Sequence, residues 1–426
     1  MNEHAIFRKC AWRLLPLIML AYVANYLDRT NVGFAALTMN RDLGFSPTVY
    51  GFGAGLLFVG YLLFQLPSSI VLEHFGTSRA CSGILTVWGA VSASTALAHT
   101  PLSFYLARFV LGAVEAGFFP LMILYLTYWF PRSYRGRFTA LFMTAIPLSA
   151  VVGGPMSGAL LQSQNVGGLS GWQWLFVAEG LPAVVLGIAV FLFLPDKPAS
   201  ANWLTQSEKT QITARLSGEE VVRHRRVWPA LRDPRVIGLG VANFAILFAS
   251  NGANLWLPQI VQTIGYSTWV TSLLATLPSI ASVPAMILLG RSSDRHKERI
   301  VHIAAAGLVG TLGFVLTAIG PSDLRSLAAI TLAYVGLNAM MPMLFGLLAD
   351  NLAGPAVAGG VALVLSVGNV GSFVGPTIIG ILKERTGGFS AAMMIVAAVL
   401  LAAVGIVLAV GYSLQARRST SAAARA

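Results

Sequence analysis

Long apolar stretches separated by short polar turns constrain the fold of this chain more than any other feature. A helix that crosses the ~30 Å hydrocarbon layer of a bilayer needs roughly 20 apolar residues. Six stretches lie at about 12–34, 48–72, 80–98, 102–129, 137–162 and 173–195, and six more at about 236–260, 267–290, 300–320, 324–349, 356–382 and 388–413. Hydrophobic residues make up 56% of the chain and charged residues 10%. The pattern predicts an all-α membrane protein with twelve transmembrane helices.

A polar interval divides the apolar stretches into two sets. We expect an N-terminal six-helix bundle over residues 1–195, a cytoplasmic linker over 196–235, and a C-terminal six-helix bundle with a short cytoplasmic tail over 236–426. Within the linker, WLTQSEKTQITARL has helical spacing after a Ser/Thr start.

Basic residues indicate the orientation. With both termini in the cytoplasm, cytoplasmic segments hold 22 of the 28 Lys and Arg residues. The other six are Arg29 and Arg108 within the stretches and Arg41, Arg325, Lys383 and Arg385 on the far side. This asymmetry favours cytoplasmic termini in a multi-pass bacterial inner-membrane protein. No base-reading motif accompanies the basic loops, so we expect no nucleic-acid partner.

The two halves repeat each other. Glu73 aligns with Asp294, and Pro155 in GGPMSG aligns with Pro376 in VGPTIIG, both pairs 221 residues apart. Parallel six-span repeats occur in transporters that rock two bundles about a site near the midplane. A membrane enzyme does not require such a duplication.

Four ionisable residues stand out inside the apolar stretches: Asp28, Arg29, Arg108 and Glu115. A charge inside a membrane is costly, so an intramembrane charge is a functional-site hypothesis by default. The four charges sum to zero. Arg108, Gly112 and Glu115 share one helix face, which predicts a notch between the cation and the carboxylate.

Tyrosines accompany these charges. Tyr26 lies on the same face as Arg29, whereas Asp28 is rotated by about 100 degrees toward another helix. Tyr61 and Gln65 share a face of the second stretch, where they line a cavity or simply pack. The charges could pair only to hold helices together, but two arginines favour an anionic ligand such as a carboxylate.

The second half carries amides instead of charges. Asn254, Asn338 and Asn369 lie within its stretches, together with Trp256. Such amides often bond neighbouring helices, and Asn369 and Trp256 are the preferred ligand contacts. The two cysteines and six histidines have no metal-ligand spacing, so we expect neither a metal nor a cofactor.

The loop after the eighth stretch, GRSSDRHKER, resembles the signature loop of the major facilitator superfamily. In that family an acidic residue faces a helix N-terminus and basic residues bind helix C-terminal carbonyls. The resemblance implies a gating role for Asp294, Arg295 and Arg299. The first-half copy, SIVLEHFGTSR, is degraded but keeps Glu73 and Arg79.

Four strings together resemble the anion:cation symporter family of that superfamily. They are YLDRTNVGFA, ARFVLGAVEAGFFP, GWQWLFVAEGLPA and SDRHKER, and the resemblance extends over essentially the whole chain. Members carry organic carboxylates such as tartrate, phthalate, galactonate or hydroxyphenylacetate, usually by proton symport.

The family pattern assigns roles to six residues of this chain. It implies that Arg29 and Arg108 bind the substrate carboxylate, that Asp28 and Glu115 take up protons, and that Tyr26 and Tyr61 contact substrate. A monomeric secondary active transporter importing a small organic carboxylate by alternating access is thus expected. A proton-coupled efflux antiporter is the alternative, followed by a transporter-derived sensor, which should carry an extra cytosolic domain.

Overall fold

The computed structural model describes residues 3–163, 165–217, 233–351 and 355–423; for 69–74, 147, 349, 351, 355–359 and 414–423 it describes the backbone alone. The first half of the described chain forms α1 (Glu3–Leu43), α2 (Pro47–Phe75), α3 (Thr77–Ser94), α4 (Pro101–Glu115), α5 (Phe118–Trp129), α6 (Arg132–Met143), α7 (Ala145–Leu161) and α8 (Gly171–Phe193). A shorter α9 (Gln206–Ser217) follows. The second half forms α10 (Pro234–Gln262), α11 (Thr268–Leu274), α12 (Leu277–His296), α13 (Ile300–Ile319), α14 (Leu324–Asn351), α15 (Pro355–Thr386) and α16 (Ser390–Ala423).

Twelve spans in the described chain are long and apolar enough to cross a membrane. We number them 1 to 12 in chain order. Three are interrupted: span 4 (Pro101–Trp129) contains α4 and α5, span 5 (Arg132–Leu161) contains α6 and α7, and span 8 (Thr268–His296) contains α11 and α12. The predicted twelve-helix membrane fold is confirmed.

Proline accounts for two of these interruptions. A proline lacks an N–H and its ring clashes with the carbonyl four residues before it. Four residues before Pro120 is Ala116, immediately after the end of α4 at Glu115. Four residues before Pro278 is Leu274, the last residue of α11.

Several helices extend beyond the predicted stretches. The expected first stretch covers residues 12–34, whereas α1 runs from Glu3 to Leu43. Hydropathy detects the part of a helix that lies in hydrocarbon, but polar helix formers such as Arg, Lys and Glu continue the same helix into water.

The described chain divides into two compact units. The first contains residues 1–38 and 59–222, and the second contains residues 39–58 and 223–426. In the first unit α3 packs along α8. A Cβ added to Gly89 would lie 2.5 Å from the Gly180 carbonyl oxygen, and one added to Gly180 would lie 2.6 Å from the Gly89 oxygen. Glycine therefore lets these two backbones touch.

The second unit repeats this pairing. Span 3 packs against span 6 through α3 and α8, and span 9 packs against span 12 through α13 and α16. Span 7 also packs along span 11, through α10 and α15. Pro155 and Pro376, the aligned prolines, both lie inside helices. The correspondence agrees with the repeat seen in the sequence.

The polar interval between the halves contains α9, where the sequence predicted a helix. Thr205 and Glu208 cap its start: the Glu208 backbone N–H donates to Thr205 Oγ1 at 3.3 Å, and the Thr205 N–H donates to Glu208 Oε2 at 2.8 Å. Lys9 forms an ion pair with Glu208 at 2.9 Å. The Thr205 N–H and Lys9 together lower the pKa of Glu208. Residues 218–232 lie outside the described chain.

Candidate functional site

A buried ion pair joins spans 1 and 4 of the first unit. Arg29 Nε donates to Glu115 Oε1 at 2.9 Å. The Glu115 side chain is fully buried, while that of Arg29 is 23% exposed. Its guanidinium carbon lies 4.9 Å from the centre of the Tyr61 ring and 5.7 Å from that of Tyr26. Arg29 is thus held between a carboxylate and two aromatic rings, with part of its surface accessible.

Glu115 occupies the break in span 4. It is the last residue of α4, so its carboxyl lies where the helix is interrupted inside the membrane. Oε1 also accepts a short hydrogen bond from Asn25 Nδ2. Oε2 is buried and has no hydrogen-bond partner among the described residues. Oε1 therefore already accepts two hydrogen bonds, whereas Oε2 is the oxygen that could bind a proton.

Asp28 faces span 3 and not the aromatic side of Arg29. Trp88 Nε1 donates to its Oδ2 at 2.6 Å, Asn31 Nδ2 donates to its Oδ1 at 2.9 Å, and Ser92 Oγ donates a short bond to Oδ1. Asp28 is 1% exposed. The helical rotation between Asp28 and Arg29 directs the two charges to different neighbours.

Arg108 is the buried cation that interacts with both carboxylates, Asp28 and Glu115. It is 1% exposed and lies on the buried face of α4 with Gly112 and Glu115. Its charge acts on both Asp28 and Glu115. The shared helix face of Arg108 and Glu115 follows from their spacing of about two turns.

A group of aromatic rings packs against Tyr26, one of the two rings beside Arg29. Tyr22 stacks on Phe142 at a centroid distance of 4.4 Å and meets Tyr26 edge to face at 5.3 Å. Phe118 and Phe119 lie 6.1 and 5.9 Å from Tyr22. Because Tyr22, Phe118 and Phe142 are buried, this packing fixes the position of Tyr26 beside Arg29.

The structure adds a third buried carboxylate, Glu179, to those identified from the sequence. Glu179 lies in α8 and is 4% exposed. Ser157 Oγ donates to its Oε1 at 3.4 Å. The count of four intramembrane charges was therefore wrong. The signal was present in the sequence, because GWQWLFVAEGLPA places an acidic residue inside an apolar helix.

Other residues of the cluster were also not predicted. Asn25, Asn31, Trp88 and Ser92 all bond the buried carboxylates. Polar residues inside apolar helices were the available signal, but their partners on other helices depend on packing. Sequence spacing reports only which residues share a helix face.

In the second unit the predicted ligand contacts lie among amides, with a cation, Lys383, whose Nζ lies 4.9 Å from the centre of the Trp256 ring. Trp256 is fully buried and donates to the Pro376 carbonyl at 3.0 Å. Asn338 Nδ2 donates to Ser282 Oγ at 2.9 Å. Asn254 and Asn369 are partly exposed. Asn338 therefore bonds a neighbouring helix, which was one of the two readings of these amides.

The loop after span 8 forms a small charged cluster. Arg299 Nη1 lies 3.0 Å from Asp294 Oδ1, and its Nε donates to Asp350 Oδ2. The hydrogen bond to Asp350 raises the pKa of Arg299. Arg295 is exposed at the end of α12. Arg299 joins α12 to the end of α14, a connection that the motif alone does not reveal.

The first-half copy of this loop is less informative. Arg79 is exposed. The Glu73 side chain lies outside the described residues. Across the parts of the chain that the structure describes, no group of His, Cys, Asp and Glu residues could hold a metal ion.

Twelve apolar spans with charges buried inside one helical bundle define a polytopic membrane protein of the carrier type. Residues 18–359 match the Major Facilitator Superfamily. The "Putative tartrate transporter" of Agrobacterium vitis is 43% identical over 402 residues, covering 94% of this chain and 90% of that protein. The chain therefore belongs to the Major Facilitator Superfamily, as its motifs indicated.

Two further comparisons bear on the fold and on function. The "Quinolone resistance transporter" of Acinetobacter baumannii is 36% identical over 404 residues, covering 94% of this chain and 93% of that protein. The crystal structure of a bacterial homologue of the human lysosomal transporter Spinster matches with a TM-score of 0.79 at 14% identity, covering 93% of this chain and 96% of that one. The structural likeness concerns the fold alone. The protein is a multi-pass transporter of the bacterial inner membrane and not an enzyme.

Proposed function

We propose that this transporter imports a small organic carboxylate, a hydroxy acid, dicarboxylate or aromatic acid, by proton symport with alternating access. Arg29 and Arg108 bind the substrate carboxylate, and Glu115 and Asp28 bind the coupling protons. Tyr26 and Tyr61 contact the substrate beside Arg29. In the second unit, Asn369 and Trp256 remain the proposed contacts. Both termini lie in the cytoplasm, and the protein acts as a monomer.

The observation that carries this proposal is the ion pair between Arg29 and Glu115. A guanidinium bonded to a buried carboxylate is not fully available to a second carboxylate. Protonation of Glu115 removes the negative charge and releases Arg29 for an anionic substrate. The substrate then replaces the charge that the proton removed, so substrate and proton bind in the same step.

Charge balance supports the same coupling. Substrate binding adds no net charge to the buried cluster when one proton is taken up for each bound carboxylate, whereas substrate or protons alone would add charge. An uncompensated charge inside a membrane costs about 2.5 to 3.5 kcal/mol on insertion scales. The doubly occupied and the empty protein are then the forms best able to change conformation.

Relatives support the substrate class. One relative is named a tartrate transporter, and tartrate is a hydroxy dicarboxylate that two arginines suit well. The efflux alternative rests on the relative named a quinolone resistance transporter. Quinolones also carry a carboxylate, so the same arginines would serve either substrate and only the direction of transport would differ.

Purified protein in liposomes tests the proposal. An imposed pH gradient, acidic outside, should drive accumulation of labelled tartrate or of another acid from a panel of hydroxy, dicarboxylic and aromatic acids. An ionophore that collapses the gradient should abolish the accumulation. Extrusion of norfloxacin against its gradient, without uptake of any acid, would establish the efflux alternative instead.

A further inference from the structure

Glu179 is not among the charged residues that the proposed mechanism uses, but it lies next to them. The contact between Gly89 and Gly180 brings α3 and α8 together beside it. On α3, Trp88 and Ser92 flank Gly89, and both donate to Asp28. Asp28 and Glu179 therefore border the same segment of span 3.

Asn31 connects the two carboxyls. Its Nδ2 donates to Asp28 Oδ1 at 2.9 Å, and its side chain is also a hydrogen-bonding neighbour of Glu179. Asn31 Oδ1 and Glu179 Oε2 are both buried acceptors that have no hydrogen-bond partner among the described residues. A buried carboxylate oxygen without a donor is costly, so the ionised form of Glu179 is disfavoured. A proton on Glu179 would remove that charge and give the carboxyl an O–H donor.

The number of buried charges also favours a proton on Glu179. Arg29 and Arg108 supply two positive charges, whereas Asp28, Glu115 and Glu179 would supply three negative charges if all were ionised. Glu179 forms no ion pair in the described chain; Ser157 donates to its Oε1, Asn31 is a second hydrogen-bonding neighbour, and Asp28 is the ionisable group that acts on it. A single proton on Glu179 makes the cluster neutral.

We infer that Glu179 is a third proton-binding carboxyl, which shares one proton with Asp28 across the amide of Asn31. In this arrangement Glu179 carries the proton, while ionised Asp28 accepts a hydrogen bond from Asn31 Nδ2. When Asp28 gains a proton from outside, the O–H bond of Glu179 can break and its proton leave, so the pair keeps one negative charge. This inference rests on the proposed function and adds a second carboxyl to its Asp28 site.

The glutamine variant E179Q tests the pair in liposomes. Glutamine is neutral like the protonated acid, so the protein should still transport, but Asp28 would then ionise without a second carboxylate to oppose it. The alkaline limit of proton-driven uptake should move to lower pH by about one unit. The variant E179D, which keeps a carboxyl, should retain a limit close to that of the wild type. Coincident profiles for E179Q and the wild type would overturn the inference.

Infrared spectroscopy provides a measurement that does not need transport. In E115Q protein labelled with carbon-13 glutamate, Glu179 should give the carbonyl band of a protonated carboxyl at neutral pH, and the band should vanish in E115Q/E179Q. Absence of that band in labelled E115Q protein would overturn the inference even if E179Q proves unstable. If the wild type transports no acid with protons, the proposed function fails, while the band still decides whether Glu179 holds a proton.

Discussion

The two halves of this transporter repeat one another in helix pairing but differ in what they bury. In the first unit, spans 1, 4 and 6 enclose Asp28, Arg29, Arg108, Glu115 and Glu179. In the second unit, buried polar groups such as Asn243 and Trp256 bond backbone carbonyls, and Asn251 bonds Ser372.

Buried charge pairs and buried amides therefore serve different purposes inside a membrane. A charge bonded to another charge can exchange its partner for a substrate or a proton, so it can respond to ligand. An amide bonded to a backbone carbonyl or a hydroxyl satisfies a helix contact and has little reason to change. We expect proton coupling to reside in the first unit and the amides of the second unit to act mainly on stability.

The largest expected effect is that of removing Arg29. R29A leaves Glu115 buried without its cation, and loss of one partner of a buried, hydrogen-bonded charge pair costs about 2 to 5 kcal/mol. Uptake should fall by about 100-fold or more, which corresponds to about 3 kcal/mol. Initial uptake rates in liposomes measure this. R41A removes an arginine whose side chain is 81% exposed and should transport like the wild type; equal losses in both variants would contradict the comparison.

The E115Q variant separates proton coupling from substrate binding. E115Q keeps a neutral side chain that mimics the protonated acid, so Arg29 stays available to substrate without a proton. Exchange of labelled for unlabelled substrate should continue, while accumulation driven by a pH gradient should fall to the level seen without a gradient. The exposed E3Q, whose glutamate side chain is 51% exposed, provides the matched control. Proton-driven accumulation at the wild-type level in E115Q would remove Glu115 from the mechanism.

Some of these features can be predicted from the sequence, and others depend on helix packing. Span number and membrane class follow from hydropathy, because crossing a bilayer imposes a length and a composition. The separate directions of Asp28 and Arg29 follow from helical geometry. The bonds from Trp88 and Ser92 to Asp28 could not be predicted, because they depend on how α3 packs against α1. Glu179 could have been noted as a charge within span 6, but its position beside Asn31 depends on the contact of Gly89 with Gly180.

In the second unit, a smaller effect is expected at Asn338. N338A removes the hydrogen bond to Ser282, and interhelical hydrogen bonds in membrane proteins are worth about 0.6 kcal/mol on average. The free energy of unfolding should fall by about that amount, with the pH dependence of uptake unchanged. A double-mutant cycle with S282A measures the coupling between the two side chains. A shifted pH profile in N338A would place a proton-sensitive group in the second unit.

The smallest expected effect concerns Glu208, a carboxylate outside the membrane that serves as a reference for the buried carboxylates. Glu208 caps α9 and pairs with Lys9, whose side chain is 37% exposed, so solvent weakens the pair. E208Q keeps the capping oxygen and loses only the charge, so it should lower the free energy of unfolding by about 0.5 kcal/mol or less at neutral pH. Because the pKa of Glu208 is lowered in the folded protein, this contribution is complete above the ordinary carboxyl pKa and disappears as the pH falls through the lowered value. Thermal unfolding of E208Q and the wild type should therefore differ at neutral pH and converge in acid, and uptake should be unaffected. A difference that persists in acid would show that Glu208 acts through packing and not through its charge, unlike the proton-binding role proposed for Glu115.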